Sequence, residues 1–393
     1  MYEDLKQHFR QRFGKEARWI FSAPGRTELG GNHTDHQHGR VLAAAVNLDT
    51  TAAVALNGRD SIRVLSEGYD LCEIPLPVGE PRAENFGTTA SLIEGVAARF
   101  SQLGHRVMGF DAYVTSRVLP GSGLSSSAAF EVLIGQIINE LFCCGLSQPD
   151  IAMAGQYAEN VYFGKPCGLM DQMASAVGNI ITIDFADNEK PRVTPVPFDF
   201  SASGYDLCII DSGASHADLT DCYAAIPADL KAVCACFGVK TLREVPEEEF
   251  YKNIREIRSS AGDRAVLRAI HVYEDNRRVE AQVDALNKGD FNRFLQLVRE
   301  SGRSSWMLLQ NVIPEGRTEH QEVAFALALA EHLLGDKGAV RVHGGGFAGT
   351  IQAFVPRDLL ESFRSGMESV LGEGSCHVLS IRPQGGMLLE ECK

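Results

Sequence analysis

Apolar residues recur at helical spacing over 88–103, where Leu92, Ile93, Val96, Phe100 and Leu103 share one face. Helices are also expected over 125–142 and 149–163, and the opening stretch 1–20 reads as a charged helix with Leu5, Phe9 and Phe13 on one side. Short runs rich in β-branched and aromatic residues, set between Gly, Pro and polar breaks, predict strands over 18–23, 41–47, 51–56, 61–65 and 110–116. Two further apolar runs of strand length, 180–184 and 207–211, flank a polar, Pro-containing stretch that reads as a domain junction. Beyond it the pattern turns chiefly helical, over 223–237, 262–287 and 290–301. The end alternates again, with helices at 320–334 and 357–371 and strands at 340–343, 350–355 and 377–381. That order predicts a small antiparallel sheet with helices on one face, hence an α+β chain.

At 393 residues the chain is longer than one hydrophobic core usually serves, so two domains are expected, 1–200 and 201–393. A net charge of -14 disfavours nucleic acid and anionic membranes as partners, because both are held by surplus Lys and Arg. Any phosphate must therefore be gripped locally. No run is apolar enough for a signal peptide or a bilayer span, and the ten cysteines form no C-x-x-C pair. Reduced thiols and a cytoplasmic location are the expectation.

The stretch Leu119-Pro120-Gly121-Ser122-Gly123-Leu124-Ser125-Ser126-Ser127 places small residues at the mouth of the helix expected from 125. Glycines let the backbone approach an anion, and the free amides of a helix start point at it. The serine hydroxyls can bind phosphate oxygens or Mg²⁺. A loop with plain serine caps and no nucleotide is the alternative. The run is not a Walker loop, since no Lys follows the last glycine, so a cation must come from elsewhere. It resembles the second motif of the GHMP kinases, which wraps the ATP phosphates. The resemblance implies that Pro120, Gly121, Ser122, Gly123, Leu124, Ser125, Ser126 and Ser127 surround ATP.

Between the strands expected at 18–23 and 41–47 lies a segment dense in polar residues, with Arg26, Glu28, Asn32, His33, Thr34, Asp35, His36 and His38. A loop so rich in donors and acceptors is costly to bury unless it grips something polar, and a sugar is such an object. A polar turn, or a metal site built from His33, Asp35, His36 and His38, is the alternative reading. The segment resembles the galactokinase signature: Arg26, His33, Thr34 and Asp35 match, whereas Glu28, Gly30, Asn32 and His36 stand where the family has Asn, Ile, Glu and Tyr.

Three later segments extend the resemblance. Cys167-Gly168-Leu169-Met170-Asp171-Gln172 is similar to the family segment whose aspartate lies beside the anomeric hydroxyl, which makes Asp171 the implied base and Gly168 a sugar neighbour. By itself an Asp at a helix start is more often a cap. Ala158-Glu159-Asn160 resembles the segment whose glutamate joins the third serine on Mg²⁺, implying Glu159 and Ser127 as ligands. His343-Gly344-Gly345-Gly346-Phe347 is similar to the third GHMP motif, though from the residues alone a tight hairpin is the favoured reading. Tyr223 resembles a family tyrosine that donates a hydrogen bond to the sugar, without the basic residues that usually follow it.

The resemblance implies the two-domain GHMP kinase fold, an N-terminal ribosomal-protein-S5-like domain with a left-handed crossover and a C-terminal ferredoxin-like domain, with the active site in the cleft between them. The implied partners are ATP, Mg²⁺ and a galactose-like sugar phosphorylated at its anomeric hydroxyl. Asp171 and Arg26 are the expected catalytic pair, with Asn32, His33, Thr34, Asp35, Gly168 and Tyr223 around the sugar. Asn32 in place of glutamate, together with an Asp35-His36-Gln37 run similar to that of plant galacturonate kinases, keeps galacturonate as an alternative substrate. A sensor that binds sugar and ATP without turnover is the alternative of another class. Oligomeric state is left open, a monomer being compatible with the sequence.

Overall fold

The computed structural model describes residues 2–118, 123–214, 219–347 and 349–392; Pro120, Gly121 and Ser122 of the expected phosphate loop lie outside them. The first half contains α1 (Glu3–Phe13), β1 (Trp19–Gly30), β2 (Arg40–Leu56), β3 (Ser61–Ser66), β4 (Cys72–Pro75), α2 (Thr89–Gln102), β5 (Phe110–Ser116), α3 (Ser126–Leu141), α4 (Gln148–Tyr157), α5 (Met170–Val177), β6 (Ile180–Asp184) and β7 (Arg192–Pro195). The second contains β8 (Tyr205–Asp211), α6 (Thr220–Ala235), α7 (Glu247–Lys252), α8 (Ile254–Ala261), α9 (Asp263–Asn287), α10 (Phe291–Ser304), α11 (Glu322–Leu334), β9 (Ala339–Val342), β10 (Thr350–Pro356), α12 (Leu360–Leu371), β11 (Cys376–Leu379) and β12 (Met387–Glu391).

The first sheet runs β12-β1-β2-β5-β3-β4, with β6 and β7 attached to β2. β2 is one continuous 17-residue strand where two were expected. Its C-terminal half pairs with β5 and its N-terminal half with β6, while β1 lies along its other side. α3 is buried on every side from Ala128 to Asn139, with polar Glu131, Gln136 and Asn139 among its buried residues, and packs on β1 and β2 beneath α2, α4 and α5. The second sheet, β11-β8-β10-β9, is antiparallel throughout.

Several expectations are corrected. The opening helix stops at Phe13, where Gly14 turns left-handed (φ 68°) to cap it. Residues 24–30 are strand, not loop: they continue β1 and pair with β2 through two bulges, one at Pro24, which has no amide to donate to a ladder. The second sheet carries helices on one face, α11 and α12 against Ile351, Ala353 and Val355, but its other face is covered as well, by α10 and the first sheet. β4, β7 and β12 were not anticipated; β12 returns from the chain's end to pair with β1. Among the described residues no helix is long and apolar enough to cross a membrane.

Candidate active site

Arg26 sits just after the first bulge of β1, its amide turned out of the ladder to Leu124 O at 3.0 Å. A bulge re-aims side chains, and here the guanidinium meets Asp171 in the first turn of α5. Nε donates to Oδ1 at 2.7 Å and Nη2 to Oδ2 at 2.8 Å, a two-pronged ion pair. Arg26 also donates to Gly123 O, and the Ser125 hydroxyl donates to Asp171 Oδ2. Burial is the largest influence on Asp171 and would raise its pKa; Arg26 and Ser125 outweigh it and hold the carboxyl below its ordinary value. Its side chain keeps 33% exposure. An ionised, partly exposed carboxylate thus stands beside the N-terminus of α3, whose first residues are Ser126 and Ser127.

The expected sugar residues divide into two groups. Asp35 lies against Gly168: a Cβ added there would stand 1.8 Å from Asp35 Oδ2, so a larger residue would push the end of that side chain away. His33 stays partly open, its Nε2 3.2 Å from Gly345 O, and burial with the neighbouring His36 pushes its pKa down to about 4. Thr34 and Asn32, by contrast, are wholly buried. The Thr34 hydroxyl closes the turn on Gly31 O and Arg40 O. The Asn32 amide donates to Glu28 Oε1 at 3.1 Å and Gly344 O at 2.7 Å, while its oxygen accepts from Asn311 at 2.8 Å. Tyr223 reaches the same glycine turn, donating to Gly346 O at 2.9 Å with its ring edge-on to Phe347.

Beneath this layer lies a polar network that the sequence reading missed. Arg341 and Gln352 are directly opposed on β9 and β10 and face the first sheet. Arg341 pairs with Glu28 in full burial, and Gln352 donates to Thr27 Oγ1 and Glu28 O. Burial raises the Glu28 carboxyl above its ordinary value, with Arg341 opposing it. From α9, His271 Nε2 donates to Asn32 O at 2.9 Å and Asp275 accepts from Asn32 N at 2.8 Å, so one helix face clamps both backbone groups of that residue. Because the carbonyl can only accept, the other nitrogen of the neutral His271 ring accepts a hydrogen bond from the Ser304 hydroxyl at 2.8 Å. The i, i+4 spacing of His271 and Asp275 on a predicted helix was the one available signal. Gly30 also belongs here: the Gln282 amide fills the place of its missing side chain and donates to Leu29 O at 3.2 Å.

A second acidic group lies next to Asp171. Gln172, fully buried, donates to Glu131 Oε2 and Glu159 Oε2, each at 2.9 Å. Glu159 sits in a π-helical turn, Ala158–Tyr162, that continues α4, a distortion frequent at functional sites. Lys165 approaches its Oε1 at 3.4 Å. Burial, and then Glu159, push the Glu131 carboxyl well above its ordinary value. Glu131 Oε1 has no hydrogen-bond partner among the described residues.

Fold and site together define a GHMP kinase. The family description "GHMP kinases N terminal domain" matches residues 91–179, and "Galactokinase galactose-binding signature" matches residues 7–56. Over 366 residues the chain is 31% identical to the galactokinase of Mannheimia succiniciproducens, covering 91% of each. Lactococcus lactis galactokinase, solved with galactose, superposes with a TM-score of 0.82 at 27% identity, covering 98% of this chain and 99% of that one. A mevalonate kinase structure at 15% identity shares the fold, with a TM-score of 0.66 over 93% of this chain and 99% of its own. The chain belongs to the galactokinase family and is a sugar kinase.

Proposed function

We propose that this enzyme transfers the γ-phosphoryl group of ATP to the anomeric hydroxyl of galactose. The observation that carries the reading is the Arg26–Asp171 pair, an ionised carboxylate and a fixed cation at the mouth of α3. Phosphoryl transfer demands alignment and charge neutralisation more than covalent work from the protein. Asp171 orients the C1 hydroxyl and accepts its proton, and Arg26 offsets charge on the transferring group. The glycine–serine run, Pro120 to Ser127, is the proposed holder of the nucleotide phosphates, and its described part, Gly123 to Ser127, leads into α3.

For Mg²⁺ the donor set fits: Glu159 is 4% exposed with only an exposed lysine as countercharge, and the Glu131 oxygen beside it lacks a partner among the described residues. Glu159 and Ser127 would hold the ion, which neutralises phosphate charge when bound. The same reading divides the chain near residue 200, with β12 as the strand that returns to the first half.

Galactose is favoured over galacturonate by charge. Both Asn32 amide protons are committed to protein oxygens, His33 is neutral at pH 7, and Asp35 and Asp171 would repel a second carboxylate. An ATP-consumption assay is expected to show turnover with galactose and none with galacturonate. Turnover on galacturonate alone would reverse the assignment of the sugar.

Gly168→Ala tests whether Asp35 holds that sugar. The added methyl displaces only the end of the Asp35 side chain, so thermal stability is expected to change little. The KM for galactose is expected to rise about tenfold or more, since small misplacements of a positioning group are amplified in catalysis.

A further inference from the structure

Successive residues of α5 serve different parts of the site. Asp171 binds Arg26 and Ser125; Gln172, about 100° further round the helix, reaches Glu131 and Glu159. We propose that Gln172 is the positioning residue for Glu159, its side-chain NH₂ anchored on Glu131 and holding one oxygen of the cation-binding carboxylate. The proposal rests on the reading that Glu159 holds the metal ion.

The orientation of the amide follows from its neighbours. Reversed, it would turn its carbonyl oxygen to the carboxyl oxygens of Glu131 and Glu159; as placed, both N–H groups find acceptors, each at 2.9 Å. The bond from Gln172 occupies Glu159 Oε2, leaving Oε1 to face the half of the site where Lys165 approaches. A ligand carboxylate set in this way keeps one oxygen fixed and offers the other, as partners behind metal ligands commonly arrange.

The arrangement makes poor sense as packing alone. Two carboxyl groups lie almost wholly buried around one neutral amide, and Glu131, pushed by burial toward its protonated form, has no cationic partner among the described residues. Such a cluster is costly in a core unless a cation completes it. Gln172 Oε1, itself buried, has no partner among the described residues, so the side chain serves through its NH₂.

The test measures Mn²⁺ retention, as a stand-in for Mg²⁺, by electron paramagnetic resonance in the complex with an unreactive ATP analogue. Galactose binding without nucleotide is followed by calorimetry. Gln172→Leu is expected to weaken Mn²⁺ retention about 10- to 100-fold while galactose binding stays at the wild-type level. Glu131→Ala, which removes the anchor of the same amide, is expected to act in the same direction, and it replaces Gln172→Leu should that variant not fold. Unchanged Mn²⁺ retention in these variants overturns the proposal, as does equal loss of galactose binding, which makes Gln172 a packing residue. Glu159→Gln separates the two levels. If it loses Mn²⁺ while Gln172→Leu and Glu131→Ala retain it, only the role of Gln172 fails; if all three retain it, Glu159 is not the ligand.

Discussion

Asp171→Asn is expected to lower kcat by about 10³-fold, within the range a positioned base contributes, while the nucleotide still binds. The substitution keeps shape and hydrogen-bonding length but removes the proton acceptor, and it leaves Arg26 without its counter-ion. Steady-state kinetics, with binding of an unreactive ATP analogue measured separately, checks both parts; wild-type turnover removes Asp171 from the mechanism. The same ion pair fixes the acid side of the pH profile. The base works ionised, so activity is present above its pKa and lost as pH falls through it. Because Arg26 and Ser125 hold that pKa below the ordinary value, the acid limb of kcat/KM is expected below the usual aspartate range. Arg26→Met removes the lowering charge and is expected to move the limb to higher pH.

Arg341→Leu is expected to destabilise the fold by about 3–5 kcal/mol, the cost of stranding the partner of a buried ion pair. Arg341 and Glu28 are both almost fully inaccessible, and Glu28 also anchors the Asn32 amide, so the loss spreads into the sugar-side loop. Burial already raises the Glu28 carboxyl; without Arg341 the group must take up a proton or remain charged in a dry site. Urea unfolding of Arg341→Leu, Glu28→Gln and the double variant checks this. The double variant is expected to be less destabilised than the sum of the two, as directly contacting groups require, and simple additivity counts against the pair as the cause.

Much of the architecture could be read locally. The helix face of Leu92, Val96 and Phe100, the strand at 110–116 and the buried helix after the serine run depend on residues a few positions apart, and those periods survive in the structure. Asp171 and Arg26 were singled out by the resemblance, since by itself an Asp at a helix start reads as a cap. Their meeting was implied by resemblance; their geometry was not, since 145 positions separate them.

What only the tertiary structure decided is which of the polar groups are turned inward onto protein partners. Asn32 looked like a sugar reader, yet its partners Asp275, Asn311 and Gly344 lie 243, 279 and 312 residues away and turn it inward. Residues 24–30 looked like loop because their polarity argues against a buried strand; they are strand because the second sheet and α9 supply the missing partners. Periodicity reports the burial of apolar side chains near one another in sequence. The satisfaction of a buried polar group is settled by whichever distant segment the fold brings within about 3 Å of it, and no local pattern encodes that.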